Sequence, residues 1–140
     1  MRKLILFGFV FVLIFGVWLG AKSYRSSESV NFEELVPGEI VKIEYHNGGN
    51  GLLYETDKKS LINSFIEALK STTYRETKPN PWTGGGSLRL YGENKKIIGL
   101  SFGPNYDVAI NGVYYKMNKN INDQLQPFFN EFIINANVQK

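Results

Sequence analysis

The chain has 140 residues, a formal net charge of +3 and no cysteine. This length is enough for one ordinary domain and too short for two. The absence of cysteine excludes a disulfide scaffold, a thiolate metal site and a cysteine nucleophile. Without Arg2 and Lys3, 14 of the 16 basic residues remain against 13 acidic ones, so no nucleic-acid partner is expected.

The first element is an uncharged apolar run over residues 4–21, which follows the basic residues Arg2 and Lys3. As a helix it would measure roughly 27 Å, close to the hydrocarbon thickness of a bilayer. It has no polar face, which favours a membrane segment over a helix of a soluble core.

Two membrane interpretations remain for residues 1–21. Cleavage near Ala21 or Ser23 would give a secreted protein, but both positions are poor signal-peptidase contexts, and the run is long for a signal peptide. The pattern therefore favours a retained signal anchor. It predicts a single-pass protein of the cell membrane with its C-terminal domain outside.

A polar segment without periodicity follows, and we interpret residues 22–37 as a tether. Within it, residues 31–35 are expected to form no more than a short turn before Pro37 and Gly38. The globular domain is then predicted over residues 38–137.

The domain opens with a predicted hairpin. Residues 39–46 alternate apolar and polar side chains, residues 47–51 form a Gly- and Asn-rich loop, and residues 52–56 return as a second strand. Thr56 or Asp57 is then expected to cap a helix that runs to about Ser71. Its apolar residues recur at helical spacing, namely Leu61, Ile62, Phe65, Ile66 and Leu69.

A predicted meander follows that helix. The loop 78–86 is too rich in Pro and Gly for regular structure, whereas Asn111 and Gly112 are typical of a tight hairpin turn. The strands around them are predicted at residues 72–77, 87–91, 95–102, 107–110 and 113–117.

The last predicted element is a helix. Because proline is tolerated in a first turn but breaks a helix interior, this helix is expected to begin near Gln126, with Pro127 at its first position. An irregular turn from Asn120 would precede it. The resulting order, β-β-α-β-β-β-β-β-α, predicts an α+β fold with a mostly antiparallel sheet and both helices on one face.

The strand and turn residues in three segments, 41–48, 55–58 and 110–116, resemble a family of small exported or membrane-anchored domains from Bacillus-like Firmicutes. The resemblance spans roughly residues 39–132. That family has no known function. The resemblance therefore implies a location outside the cytoplasm and a fold, and it leaves activity open.

No catalytic or metal-binding pattern stands out. His46 is the only histidine in the sequence, and it lies on the polar face of its predicted strand. No second ligand occurs at metal-binding spacing from it. Glu39, Glu44 and Glu55 lie on neighbouring predicted strands, where acidic residues commonly face solvent. The glycines at 84–86 precede a strand rather than a helix, which argues against a phosphate loop. No cofactor, metal or catalytic residue is predicted.

The aromatic residues are the candidate binding residues. Trp82 and Tyr106 lie in predicted loops, and the adjacent Tyr114 and Tyr115 lie in one strand, so one of these two must face away from the core. Exposed aromatic side chains with a polar atom are common in binding surfaces. An alternative is that Trp82 simply folds over the edge of the sheet.

These patterns favour a non-enzymatic, membrane-tethered module that binds an envelope protein, peptide or glycan. The alternative is an exported hydrolase that acts on envelope material through Glu carboxylates or His46. A third hypothesis is a homodimer formed through an uncovered sheet face.

Overall fold

The computed structural model describes residues 28–83, 85–135 and 137–139. The predicted signal anchor over residues 1–21 and residues 22–27 of the predicted tether lie outside these residues. None of the helices formed in the described ranges is long and apolar enough to cross a membrane.

The α+β prediction is confirmed. Nine strands and three helices occur in the described ranges. The strands are β1 Ser29–Asn31, β2 Ile40–His46, β3 Leu53–Thr56, β4 Thr73–Glu76, β5 Ser87–Gly92, β6 Ile97–Phe102, β7 Asp107–Ile110, β8 Val113–Met117 and β9 Asn137–Gln139. The helices are α1 Phe32–Leu35, α2 Lys59–Lys70 and α3 Asn122–Asn135. The ends of β2–β8 and α2 agree with their predicted bounds to within two residues.

All nine strands form one sheet in the order β1-β4-β8-β7-β6-β5-β2-β3-β9, and every neighbouring pair is antiparallel. The hairpin β2–β3 and the meander β5–β8 join strands that follow each other in the chain. β4 and β5 also follow each other, but three strands separate them in the sheet. Residues 77–86 must therefore cross from one part of the sheet to another.

The core lies between one face of the sheet and the helices. Ile43 pairs with Leu90, and Leu90 with Ile98, so their side chains share a face, and all three are buried. Helices α2 and α3 cover this face and contact each other through Phe65 and Phe128, whose ring centroids are 4.4 Å apart. The two long helices therefore lie on one face of the sheet, as the sequence predicts.

Residues 29–36 belong to the domain, so the predicted tether boundary at residue 37 is wrong. β1 pairs with β4, with Val30 opposite Tyr74. The next residues form α1, in which Phe32 is buried; Val36, which follows the helix, is buried as well. A three-residue strand and a one-turn helix are too short to give a periodic signal, which is why this segment was predicted as a tether.

Helix α3 begins at Asn122 rather than near Gln126, so Pro127 lies inside it. The cost of an interior proline is about 3 kcal/mol. Leu125 before Pro127, and Phe128 and Phe132 after it, are buried, whereas Pro127 is exposed. Core packing on both sides of the proline therefore outweighs the lost hydrogen bond.

Two smaller predictions also need correction. Helix α2 has no side-chain cap: the Thr56 hydroxyl accepts a hydrogen bond from the Lys58 backbone N–H at 3.1 Å, and Lys58 is the N-cap residue. The domain was predicted to end at residue 137, but residues 137–139 form β9 against β3. A three-residue strand at the edge of a sheet depends on its partner and leaves little pattern in the sequence.

Candidate functional site

The sheet has a second face, opposite the core, which we call the open face. It is formed by the alternate residues of each strand. Helices α1, α2 and α3 pack against the other side in the described part of the chain. Six neighbouring strands, β4, β8, β7, β6, β5 and β2, each contribute residues to this face. Examples, in that order, are Arg75, Tyr114, Ala109, Gly99, Arg89 and Glu44.

Trp82 lies against this open face. Its indole ring makes an edge-on contact with Tyr114, with ring centroids 5.4 Å apart and planes at 86°. A Cβ atom at Gly103 would lie 2.6 Å from indole atoms Cδ2 and Cε3, so Trp82 needs a glycine at this position. The indole is only half-buried. The structure therefore joins Trp82 and Tyr114, two of the four predicted binding residues, in one aromatic pair.

The loop that carries Trp82 is attached to the same end of the sheet. The backbone N–H of Thr77 donates a hydrogen bond of 2.9 Å to the Tyr114 carbonyl. Further along, the Asn80 side chain donates to Asp107 at 3.5 Å, and Asp107 also pairs with Lys116 at 2.9 Å. These contacts hold residues 77–82 beside β7 and β8, where the indole meets Tyr114.

Tyr115 and Tyr106 do not join the aromatic pair. Because it follows Tyr114 in the strand, Tyr115 points to the core, where its ring meets Tyr74 edge-on at 6.4 Å. Burial raises the pKa of Tyr115. Tyr106 is exposed in the turn after β6, with φ +67, and no ring contact links it to Trp82 in the described ranges. The structure thus places Tyr115 on the covered side of the sheet.

A network of charged and phenolic groups occupies another part of the open face, on β2, β3 and β5. The Lys42 ammonium donates to one Glu44 oxygen at 2.7 Å and pairs with Glu55 at 3.6 Å. The Tyr91 hydroxyl donates to the other Glu44 oxygen at 2.6 Å. Lys42 also lies 4.3 Å from the centroid of the Tyr91 ring.

This network sets the ionisation of Glu44. Burial raises the pKa of Glu44, but the hydrogen bonds from Lys42 and Tyr91 outweigh burial and hold the pKa below its ordinary value. Hydrogen bonding to Glu44 raises the pKa of both Lys42 and Tyr91. A general acid needs the opposite shift, a raised carboxyl pKa. Glu44 is therefore arranged as an anion at neutral pH and not as a proton donor.

The other catalytic candidates are dispersed. Glu39 is exposed and pairs with Lys59 of helix α2 at 3.2 Å, away from the Glu44 network. His46 is exposed, and within the described ranges its side chain makes no hydrogen bond or ion pair. No group of three or more His, Asp or Glu side chains in these ranges is arranged to hold a metal ion.

A depression of about 320 Å³ lies beside the network, at the end of β2 and β5. It is lined by Glu44, His46, Leu53, Ser87 and Arg89. Ser87 and Arg89 were not among the sequence candidates. The signal that could have indicated them is their i, i+2 spacing on the polar face of a predicted strand.

No protein-family model, curated protein or solved structure matches this chain. The family suggested by the resemblance therefore stays a prediction. The functional argument rests on the open face.

Proposed function

We propose that this protein is a membrane-tethered extracytoplasmic module that binds an envelope partner on the open face of its sheet. The observation that carries the proposal is the half-buried Trp82–Tyr114 pair on a face that the described helices leave uncovered. Aromatic residues with one wet side and one packed side are enriched at binding surfaces. The ligand would be an envelope protein, a peptide or a glycan.

The proposed location rests on the sequence of the N-terminal segment. Residues 4–21 have the length and composition of a membrane helix, with basic residues before them. Because β1 begins at Ser29, residues 22–28 would be the only link between the membrane and the domain. Seven residues span at most roughly 25 Å, so the proposed partner lies close to the outer face of the cell membrane.

Binding is favoured over hydrolysis because the carboxylates of Glu44 and Glu55 are already engaged by other side chains. Both oxygens of Glu44 accept hydrogen bonds, and Lys42 lies between Glu44 and Glu55. A glycosidase requires one protonated carboxyl and one free carboxylate that flank the scissile bond. Here Lys42 instead forms ion pairs with both carboxylates, at 2.7 Å to Glu44 and 3.6 Å to Glu55.

Topology is tested first by cysteine labelling, since the natural chain contains none. Asn63→Cys, on the exposed side of helix α2, is treated with a membrane-impermeant maleimide on intact cells. We expect labelling of the full-length chain, with an intact mass that includes residues 1–21. Labelling only after cell lysis would contradict the proposed location.

Partner binding is tested by photo-crosslinking in cells. A photoreactive amino acid is placed at Ser101, which lies on the open face opposite Ala109, and at Asn63 as the control on the helix side. We expect a discrete adduct from Ser101, none from Asn63, and loss of the Ser101 adduct when Trp82→Ala is added. Equal adducts from both positions, or a Ser101 adduct that survives Trp82→Ala, would refute the proposal.

A further inference from the structure

The depression beside the Glu44 network is built from two cross-strand pairs. Glu44 on β2 lies opposite Arg89 on β5, and His46 lies opposite Ser87. All four side chains share the open face because they are two residues apart along each strand. Leu53 of β3, opposite His46, adds a half-buried apolar wall.

Arg89 is much the more exposed of the two paired charged groups in this depression, and its guanidinium also donates to the Tyr91 hydroxyl. Its side chain is 66% exposed, and its ion pair to Glu44 is 3.8 Å long, beyond hydrogen-bond distance. Lys42 and Tyr91 each donate a hydrogen bond to one Glu44 oxygen, so the Glu44 carboxylate does not require a hydrogen bond from Arg89. Most of its N–H donors therefore remain available to a ligand.

The neighbouring polar groups add further donors. The Ser87 hydroxyl and the His46 ring are exposed, and neither makes a hydrogen bond in the described ranges. A planar guanidinium beside a hydroxyl and an imidazole matches the two oxygens of a carboxylate. Lys42, Glu44 and Glu55 together carry one negative charge, which disfavours a doubly charged phosphate more than a singly charged carboxylate.

The backbone closes one end of the depression. A Cβ atom at Gly48, just after β2, would collide with the Gly85 carbonyl oxygen, so the two loops touch beyond His46 and Ser87. These loops therefore block a ligand at that end, whereas the sheet continues in the other direction.

The open route leads toward the aromatic pair. Ser87, Ser101, Ala109 and Tyr114 lie opposite one another on four successive strands. Three strand spacings of about 4.8 Å give roughly 14 Å from Ser87 to Tyr114. Four residues of an extended peptide cover a similar distance.

We propose that this depression binds the free carboxyl terminus of a peptide, with Arg89 as the main contact. Ser87 and His46 donate to the same carboxylate, and Leu53 contacts the last side chain. An apolar side chain three residues before the terminus reaches Trp82 and Tyr114. This inference rests on the proposed function, because it specifies the chemistry of the partner on the same face.

The test uses the full chain in detergent micelles and follows backbone amide resonances during titration. The probe is N-acetyl-Leu-Gly-Gly-Ala with a free carboxyl terminus, and its C-terminal amide is the matched control. We expect the acid to bind at least about tenfold more tightly than the amide. The largest shifts should lie in β5 and at the end of β2.

Two arginine variants make the assignment specific. Arg89→Gln should weaken binding of the acid by about tenfold or more, because a charge-assisted hydrogen-bond pair is lost. Arg75→Gln removes an exposed arginine from β4 on the same face and should leave the affinity within about twofold. Thermal unfolding of both variants confirms that each is folded.

Equal affinity for the acid and the amide would overturn the proposal. A loss of affinity in Arg75→Gln as large as that in Arg89→Gln would also overturn it. Full competition by inorganic phosphate at matched concentration would assign a general anion site instead. If the peptide fails to bind while the crosslink from Ser101 persists, the carboxylate assignment is wrong and the proposed function stands. If both fail, the proposed function is wrong as well.

Discussion

Truncation of Phe32 tests whether the segment next to the membrane belongs to the folded domain. The side chain is 1% exposed, and its ring lies 6.1 Å from that of Tyr74, which is itself fully buried. The Tyr74 hydroxyl donates to the Leu69 carbonyl at 2.8 Å, which ties this contact to helix α2. Phe32→Ala would therefore leave a cavity between α1, β4 and α2.

Replacement of a buried phenylalanine by alanine costs about 3–5 kcal/mol. For a domain of this size, each kcal/mol lowers the unfolding midpoint by about 4 °C. We therefore expect a fall of roughly 12 °C or more for Phe32→Ala. The measurement is thermal unfolding of the full chain in non-ionic detergent, followed by near-ultraviolet circular dichroism.

Ile134→Ala is the control for Phe32→Ala. Ile134 is 79% exposed near the end of helix α3, so its truncation should change stability by no more than about 0.5 kcal/mol. If Phe32→Ala lowers the midpoint no more than Ile134→Ala, residues 29–36 contribute nothing to the core. The domain boundary at Ser29 would then be wrong.

Two further predictions concern the open face. Because the pKa of Glu44 lies below its ordinary value of 4.5, the ionised carboxylate stabilises the fold above that pH, and this stability is lost as pH falls through the folded pKa. The unfolding midpoint of Glu44→Gln should thus be lower than that of the natural chain at pH 7, and the difference should shrink as the pH falls below 4.5 through the folded pKa. Gly103→Ala should displace the Trp82 indole, which alters its near-ultraviolet circular dichroism and weakens the crosslink from Ser101.

Each of these variants has a matched control. Glu67 is exposed on helix α2, so the pH profile of Glu67→Gln should follow that of the natural chain. A difference for Glu44→Gln that stays the same across the whole acidic range would show that the charge is not the cause. Gly99 has open space where a Cβ would lie, so Gly99→Ala should leave the indole signal unchanged. An identical change in both glycine variants would contradict the Trp82 placement.

Local patterns predicted most of the strands. Alternation in β2, the Asn111–Gly112 turn and the apolar stripe of α2 arise from near neighbours in the chain, so they are readable before folding. Asn111 and Gly112 do have the positive φ angles of 51° and 81° that such a turn requires. The same reasoning failed for α3, where buried Leu125 and Phe128 hold Pro127 inside the helix.

The candidate site was predicted only in part. The adjacency of Tyr114 and Tyr115 implied that one would leave the core, but strand pairing decided that it is Tyr114. Trp82 was recognised as unusual, yet its contact with Gly103 depends on the path of the loop across the sheet. The i, i+2 spacing of Ser87 and Arg89 indicates a shared polar face, but only strand pairing decided that Arg89 lies opposite Glu44.

The sequence by itself determined the apolar N-terminal run, the α+β class and the main hairpins, because each depends on residues close together in the chain. Only the tertiary structure decided which strands became neighbours. The Tyr91–Glu44 hydrogen bond joins residues 47 positions apart. The Trp82–Tyr114 contact likewise requires β4 and β8 to pair. Such contacts form only when the whole sheet packs over one core, so no local pattern could indicate which side chains meet on the open face.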